Sequence, residues 1–140
     1  MHPLMPTSKA GLPLLARVRA LSLALPATTE EINHGRPCFT VAKKTFAMFL
    51  DNHHGDGRVA IWCKAAPGDQ GDMVESDPKR FFVPPYVGPR GWIGVRLDTP
   101  KPDWKMVASI LADSHRLIAP KRVLAGADPS RPGRRVSTKR

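Results

Sequence analysis

Trp62 and Lys64 stand two residues apart, and Trp92 and Arg96 four apart, so in an extended chain each ring shares a face with its cation. A flat aromatic surface beside a fixed positive charge stacks bases and holds phosphates. Other side chains of the same chemistry are scattered through the chain. Arg36 follows His34 and Gly35, Arg90 precedes Gly91, Lys43 and Lys44 are adjacent, Lys121 and Arg122 follow Pro120, and Tyr86 follows Pro84 and Pro85. An arginine next to a flexible position can present its planar fork to a phosphate, although a lone arginine is also commonly solvated or paired to an acid. Lysines at a hairpin tip could straddle a groove, and they are equally a device for keeping an edge soluble.

Catalytic chemistry has less to draw on. His34 and His115 are candidate bases without an identifiable nucleophile or orienting carboxylate, and the chain has neither a phosphate-binding P-loop nor a dinucleotide glycine motif. Asp51, His53, His54 and Asp56 are metal-ligand types, but they crowd into a short turn without a defined ligand geometry. Cys38 and Cys63 are too few and too far apart for a zinc site or a disulfide framework and read as small buried hydrophobes in a reducing cytosol. The expectation is therefore no catalytic residue, no metal and no cofactor.

The chain has 140 residues, 41% of them hydrophobic, which suits one domain around one core. Its net charge of +10 attracts polyanions, of which nucleic acid is the commonest in a cell. From Lys121 to Arg140 seven basic residues face Asp128 alone, so six of those ten net charges lie there and the remainder is mildly basic. No apolar run approaches the roughly 20 residues that span a bilayer, and Met1 to Gly11 lacks the pattern of a leader, so a cytoplasmic, monomeric protein is expected.

The elements that must position these residues follow from periodicity. Leu14, Leu15, Val18, Leu21, Ser22 and Leu25 recur at helical spacing between Pro13 and Pro26. Strands are expected at Glu30 to Gly35, Pro37 to Ala42, Thr45 to Asp51 and Arg58 to Lys64, with Lys43-Lys44 as a hairpin tip and Asn52 to Gly57 as a turn. Pro67 to Ser76 is a poor short helix or a helical turn anchored by Met73 and Val74. Trp92 to Leu97 is a strand, and Pro102 to Ile118 a second amphipathic helix with Trp104, Val107, Leu111, Ser114 and Ile118 on one side. Pro120 is expected to end regular structure, which divides the chain into a loose start (1–12), a domain (13–124) and a basic disordered tail (125–140).

Alternation places Val59, Ile61, Cys63, Ile93, Val95 and Leu97 under the helices. Trp62, Lys64, Trp92 and Arg96 then share the opposite face, provided both strands lie in one sheet. The alternative is that the proline-rich loop and the Ile118 to Val123 segment cover both indoles, leaving Lys64 and Arg96 merely solvated.

The blocks SDPKRFF, PPYVG, RGW and VRLD, together with LSLALPATTEEINHGRPCF, KKTFAMF, VAIWCK, PDWKMVASIL and HRLIAPKRV, run in order from roughly Leu14 to Leu124. In them the chain resembles the MmcQ/YjbR family of small bacterial proteins usually described as DNA-binding. The resemblance implies an α+β fold: an antiparallel sheet with N- and C-terminal helices on one face, of the CyaY-like (frataxin-like) kind, with a double-wing arrangement of strands proposed to meet DNA. Ala27 departs from the expected Gly, and Ser114-His115 from a small residue followed by Tyr. Frataxin-like iron binding would need acids on the first helix, where this chain has Arg17 and Arg19 and no acid from Leu14 to Leu25. The expected function is DNA association through phosphate and shape contacts by Arg36, Lys43, Lys44, Lys64, Arg90, Arg96, Lys121 and Arg122. A small anionic ligand held among His34, Trp62, Tyr86, Trp92 and Arg90, in a pocket protein or an uncharacterised enzyme, is one alternative. A protein-interaction adaptor with an exposed aromatic face is another.

Overall fold

The computed structural model describes residues 7–126. Helix α1 (Gly11–Leu23) leads into strands β1 (Thr28–Asn33), β2 (Arg36–Val41), β3 (Lys44–Asp51) and β4 (Val59–Cys63). Helix α2 (Asp69–Ser76), the two-residue β5 (Phe81–Phe82), β6 (Ile93–Arg96), α3 (Trp104–Ile118) and α4 (Lys121–Gly126) complete the order. All six strands join one antiparallel sheet in the order β1-β2-β3-β4-β6-β5. Helices α1 and α3 pack on each other and on this sheet. The α+β class with an antiparallel sheet is therefore the architecture of the chain.

Two tight hairpins fix the register of the first three strands. His34 (φ 54°) with Gly35 (φ 80°) joins β1 to β2, and Ala42 (φ 50°) with Lys43 (φ 67°) joins β2 to β3. Two consecutive positive φ angles mark the primed turns whose twist matches that of antiparallel strands. The second tip is thus Ala42-Lys43, and Lys44 opens β3 rather than sharing the turn. A bulge beside Phe39 and Thr40 leaves Phe46 unpaired, so that Phe46 and its neighbour Ala47 both enter the main core.

That core lies between the sheet and the helices. Val59, Ile61 and Cys63 of β4, Ile93 and Val95 of β6, and Leu97 meet Val18 of α1 and Val107 and Leu111 of α3 there. Parity had assigned these strand residues to this side. The α3 N-terminus is capped by Asp103, whose Oδ1 accepts the Met106 N–H at 3.0 Å.

Several boundaries differ from the reading of the sequence; β1 runs over Thr28–Asn33 where Glu30 to Gly35 was expected, because His34 and Gly35 form the turn. Helix α1 starts at Gly11 instead of Pro13, because the Ser8 carbonyl and hydroxyl accept the first N–H groups and Ser8 is itself bound to the Asp51 carboxylate. Strand β5 was not foreseen, since two residues are too few to show alternation. Pro120 opens a helix where an end was expected: its carbonyl accepts N–H bonds from Val123 and Leu124, and Val123 is buried in the core. The expected loose start lies partly, and the expected basic tail almost wholly, outside the described residues. No helix among the described residues is long and apolar enough to cross a membrane.

Candidate functional site

The face of the sheet opposite the helices carries its own cluster. Trp62 of β4 pairs with Gly94 of β6, which brings Trp62 and Trp92 together with Leu50, flanked by Met48, Phe82 and Val87. A side chain at Gly94 would collide with the Phe82 ring, so glycine here lets Phe82 lie close against the sheet. Trp62 is 1% and Trp92 6% exposed, which fits the reading that other segments cover the indoles. Val87 of the proline-rich loop packs on the cluster.

That loop is held by several devices. Tyr86 takes φ 65°, and the Val87 N–H donates to the Pro85 carbonyl at 2.6 Å across it, the mark of a strained three-residue turn. The Gly88 N–H returns to the Pro84 carbonyl at 3.0 Å, and Gly88 sits too close to Val83 to tolerate a Cβ without a shift. From α2, the Gln70 side-chain amide donates to the carbonyls of Gly88 (2.8 Å) and Trp92 (2.7 Å), tying the second half of the loop to the helix. In consequence Tyr86, the single tyrosine of the chain, stands 73% exposed on a braced backbone.

The connection between β3 and β4 approaches the same place. Asn52 (φ 57°) and His54 (φ 50°) bend it sharply, and Asn52 Oδ1 accepts the Gly57 N–H at 2.8 Å. The turn sets the His53 ring edge-on to Trp62 at 4.8 Å and to Tyr86 at 6.1 Å, with His54 4.1 Å from His53. Burial first, then His54 and Arg36, hold the His53 imidazole below its ordinary pKa. His53 is accordingly a neutral wall residue near pH 7.

Between these loops and the sheet opens a cavity of about 910 Å³. Of the residues singled out in the sequence, His34, Arg36, Lys44, Lys64, Trp62, Tyr86, Arg90 and Trp92 all line it. No Asp or Glu does. Arg19, Arg80, Arg96 and Arg116 pair with Glu30, Asp77, Asp98 and Asp113, whereas among the described residues Arg36, Lys44, Lys64 and Arg90 form no ion pair. Lys64 Nζ donates to the Arg90 carbonyl at 3.3 Å, joining the end of β4 to the loop. Two donors of the lining, Trp62 Nε1 and Arg36 Nε, are buried without an acceptor among the described residues.

The remaining candidates lie elsewhere. Lys43 is exposed at its hairpin tip, and Arg96 is turned to Asp98 by two 3.1 Å hydrogen bonds. Lys121 and Arg122 are exposed in the first turn of α4. None of the four lines the cavity. Conversely, His53, His54, Asn33, Thr45, Met48, Val87 and Ile118 do; the sequence had weighed His53 and His54 only as metal ligands and Ile118 only as part of a covering segment, and had not marked the others. For Met48 the signal was present in strand parity; for His53 and His54 only the fold of the turn reveals it.

Other chemistry is less supported. Among the described residues no group of three or more His, Cys, Asp or Glu could hold a metal ion. Burial pushes the Cys38 thiol up to about 11 and the Cys63 thiol up to about 12, so neither is a ready nucleophile. His115, a candidate base in the sequence, is buried with Nε2 2.7 Å from the Pro26 carbonyl, away from the cavity lining.

A family model described as YjbR matches residues 23–117. No curated protein matches the chain. Among solved structures, the crystal structure of Deinococcus radiodurans protein DR2400, described as a DUF419 domain, is similar with a TM-score of 0.64 at 16% identity. The similarity covers 84% of this chain and 83% of that one, and at this identity it concerns the fold alone.

Proposed function

The chain belongs to the YjbR family, and from that premise we propose that it is a binding protein, not a catalyst, that associates with nucleic acid through the cavity on the open face of its sheet. The observation that carries this reading is the charge of the cavity wall. Among the described residues, Arg36, Lys44, Lys64 and Arg90 line it without an ion pair, and no carboxylate shares it. Unpaired cations around a concavity concentrate anions there and hold phosphate oxygens by charge-assisted hydrogen bonds. The hairpins tipped by His34-Gly35 and Ala42-Lys43 flank β2 at its two ends, and in a double-wing arrangement they would straddle the backbone, with Lys43 as an outer contact. DNA is the partner most in keeping with this geometry and with the net charge of +10.

Titration of labelled DNA against the protein at several salt concentrations tests the proposal. Neutralising four phosphates predicts a log K against log[salt] slope of about −3.6 on duplex and about −2.8 on single strands. The double variant Arg36→Ala with Arg90→Ala should flatten the slope by roughly half. An unchanged slope and affinity in that variant would sink the cavity as the contact surface.

The size of the cavity favours a second reading, a small anionic ligand. Its volume of about 910 Å³ falls within the range of roughly 300–1,000 Å³ usual for small-molecule sites. Competition of DNA binding by small phosphate compounds distinguishes the two.

A further inference from the structure

The lining of the cavity mixes cations with rings, and a stacked duplex offers its phosphates to the cations while its base faces are withheld from the rings. Building on the phosphate-binding reading above, the geometry points to a single unstacked nucleotide as the occupant, its phosphate among the cations and its base laid against Tyr86. Three observations lead there.

Tyr86 is the first. It is 73% exposed, yet its backbone is fixed in a strained turn closed by the Val87 and Gly88 N–H groups on the Pro85 and Pro84 carbonyls, and Gln70 ties the loop down just after it at Gly88 and Trp92. A ring rigidly held in the open loses little freedom when a base stacks on it, which is what a stacking platform requires. His53 and His54 meet it at interplanar angles of 80° and 63°, so neither is stacked in parallel on the tyrosine. The second is the Trp62 indole N–H, a buried donor in the same lining with no acceptor among the described residues. Base edges offer carbonyl and ring-nitrogen acceptors, and enzymes and binders that read unpaired bases use such donors. The third is that no carboxylate among the described residues lines the cavity, which admits a phosphate beside the ring without repulsion.

The nucleotide could come from a single strand or from a free mononucleotide, and the experiment separates these sources. Full-length protein is titrated into a labelled oligothymidine and into a hairpin duplex of equal phosphate number at one salt concentration, then challenged with AMP and with inorganic phosphate. The single strand should bind at least about tenfold tighter than the duplex. Tyr86→Ala should weaken single-strand binding by roughly 5- to 150-fold, the range expected for one stacked base, while Tyr86→Phe largely restores it and duplex binding is unchanged. A thermal melt of each variant confirms folding, which an exposed side chain should not alter.

Equal binding of strand and duplex, indifferent to Tyr86→Ala but weakened by Arg36→Ala with Arg90→Ala, would overturn the nucleotide pocket and leave nucleic-acid association standing. Binding of AMP well above inorganic phosphate, with no binding of either oligonucleotide, would support the pocket with a free nucleotide as its occupant and remove nucleic acid as the partner. Failure of all four probes would overturn both.

Discussion

His115 Nε2 lies 2.7 Å from the Pro26 carbonyl, and the next residue, Ala27, holds a φ of 55°. Ala27 and His115 therefore meet at one corner, where α3 touches the link between α1 and β1. A carbonyl can only accept, so Nε2 carries the hydrogen. A left-handed alanine costs roughly 1–2 kcal/mol, partly offset because glycine loses more freedom on folding. Ala27→Gly should accordingly stabilise the protein by about 0.5–1 kcal/mol in urea unfolding. Burial lowers the His115 pKa from its ordinary value, opposed by the bond to Pro26, and burial likewise lowers that of His53. With the folded value below the unfolded one, the stability these histidines contribute is complete above about pH 6.5 and is lost as pH falls through their folded values. The melting temperature should be level from pH 7 upward and decline below 6.5, and His115→Gln, which keeps a donor for Pro26, should make that decline shallower. On the open face, Trp92 at 6% exposure and Tyr86 at 73% should behave oppositely. Trp92→Ala should cost about 3–5 kcal/mol of stability, and Tyr86→Ala close to none.

At the scale of elements, the site is built by loops braced from outside it. Helix α2 buries no residue of its own, yet Gln70 supplies the donor for both Gly88 and Trp92. Gln70→Ala leaves those carbonyls without that donor and should loosen the proline loop. Ligand or DNA affinity should drop while the melt shifts only modestly, a split visible by running both assays on one preparation. Helix α4 has the contrary role. Truncation after Gly126 keeps it and should leave a cooperative melt, whereas truncation after Ala119 removes buried Val123 and should cost about 1.5–3 kcal/mol. Equal melts for the two truncations would show α4 to be dispensable.

Across the whole molecule, the two faces of one sheet divide the labour. The helix-covered face supplies the larger core, and the second face supplies a smaller ring cluster roofed by loops that leave a basic cavity open. Arg131, Arg134, Arg135, Lys139 and Arg140 lie outside the described residues but add to the net charge. Deleting 127–140 should weaken nucleic-acid binding alike for every sequence and reduce the salt slope, without abolishing the effect of Arg36→Ala with Arg90→Ala. Loss of all binding on that deletion would move the interaction from the cavity to the tail.

Strand alternation alone separated Ile61, Val95 and Leu97 from Trp62 and Trp92, because a period of two admits just two faces and the aliphatic one must meet the helices. Helical spacing likewise located α1 and α3 to within two residues, and the ordered sequence blocks pointed to the family. Local pattern cannot report what approaches from elsewhere in the chain. That Arg36, Lys44, Lys64 and Arg90 share a cavity depends on where β2, β3, β4 and the proline loop end in space. That two histidines in a turn become the wall beside Trp62 depends on positive φ angles at Asn52 and His54 and on the register that carries β3 to β4. Periodicity is a property of neighbours in sequence; a cavity is a property of neighbours across the fold, and only tertiary packing assembles it.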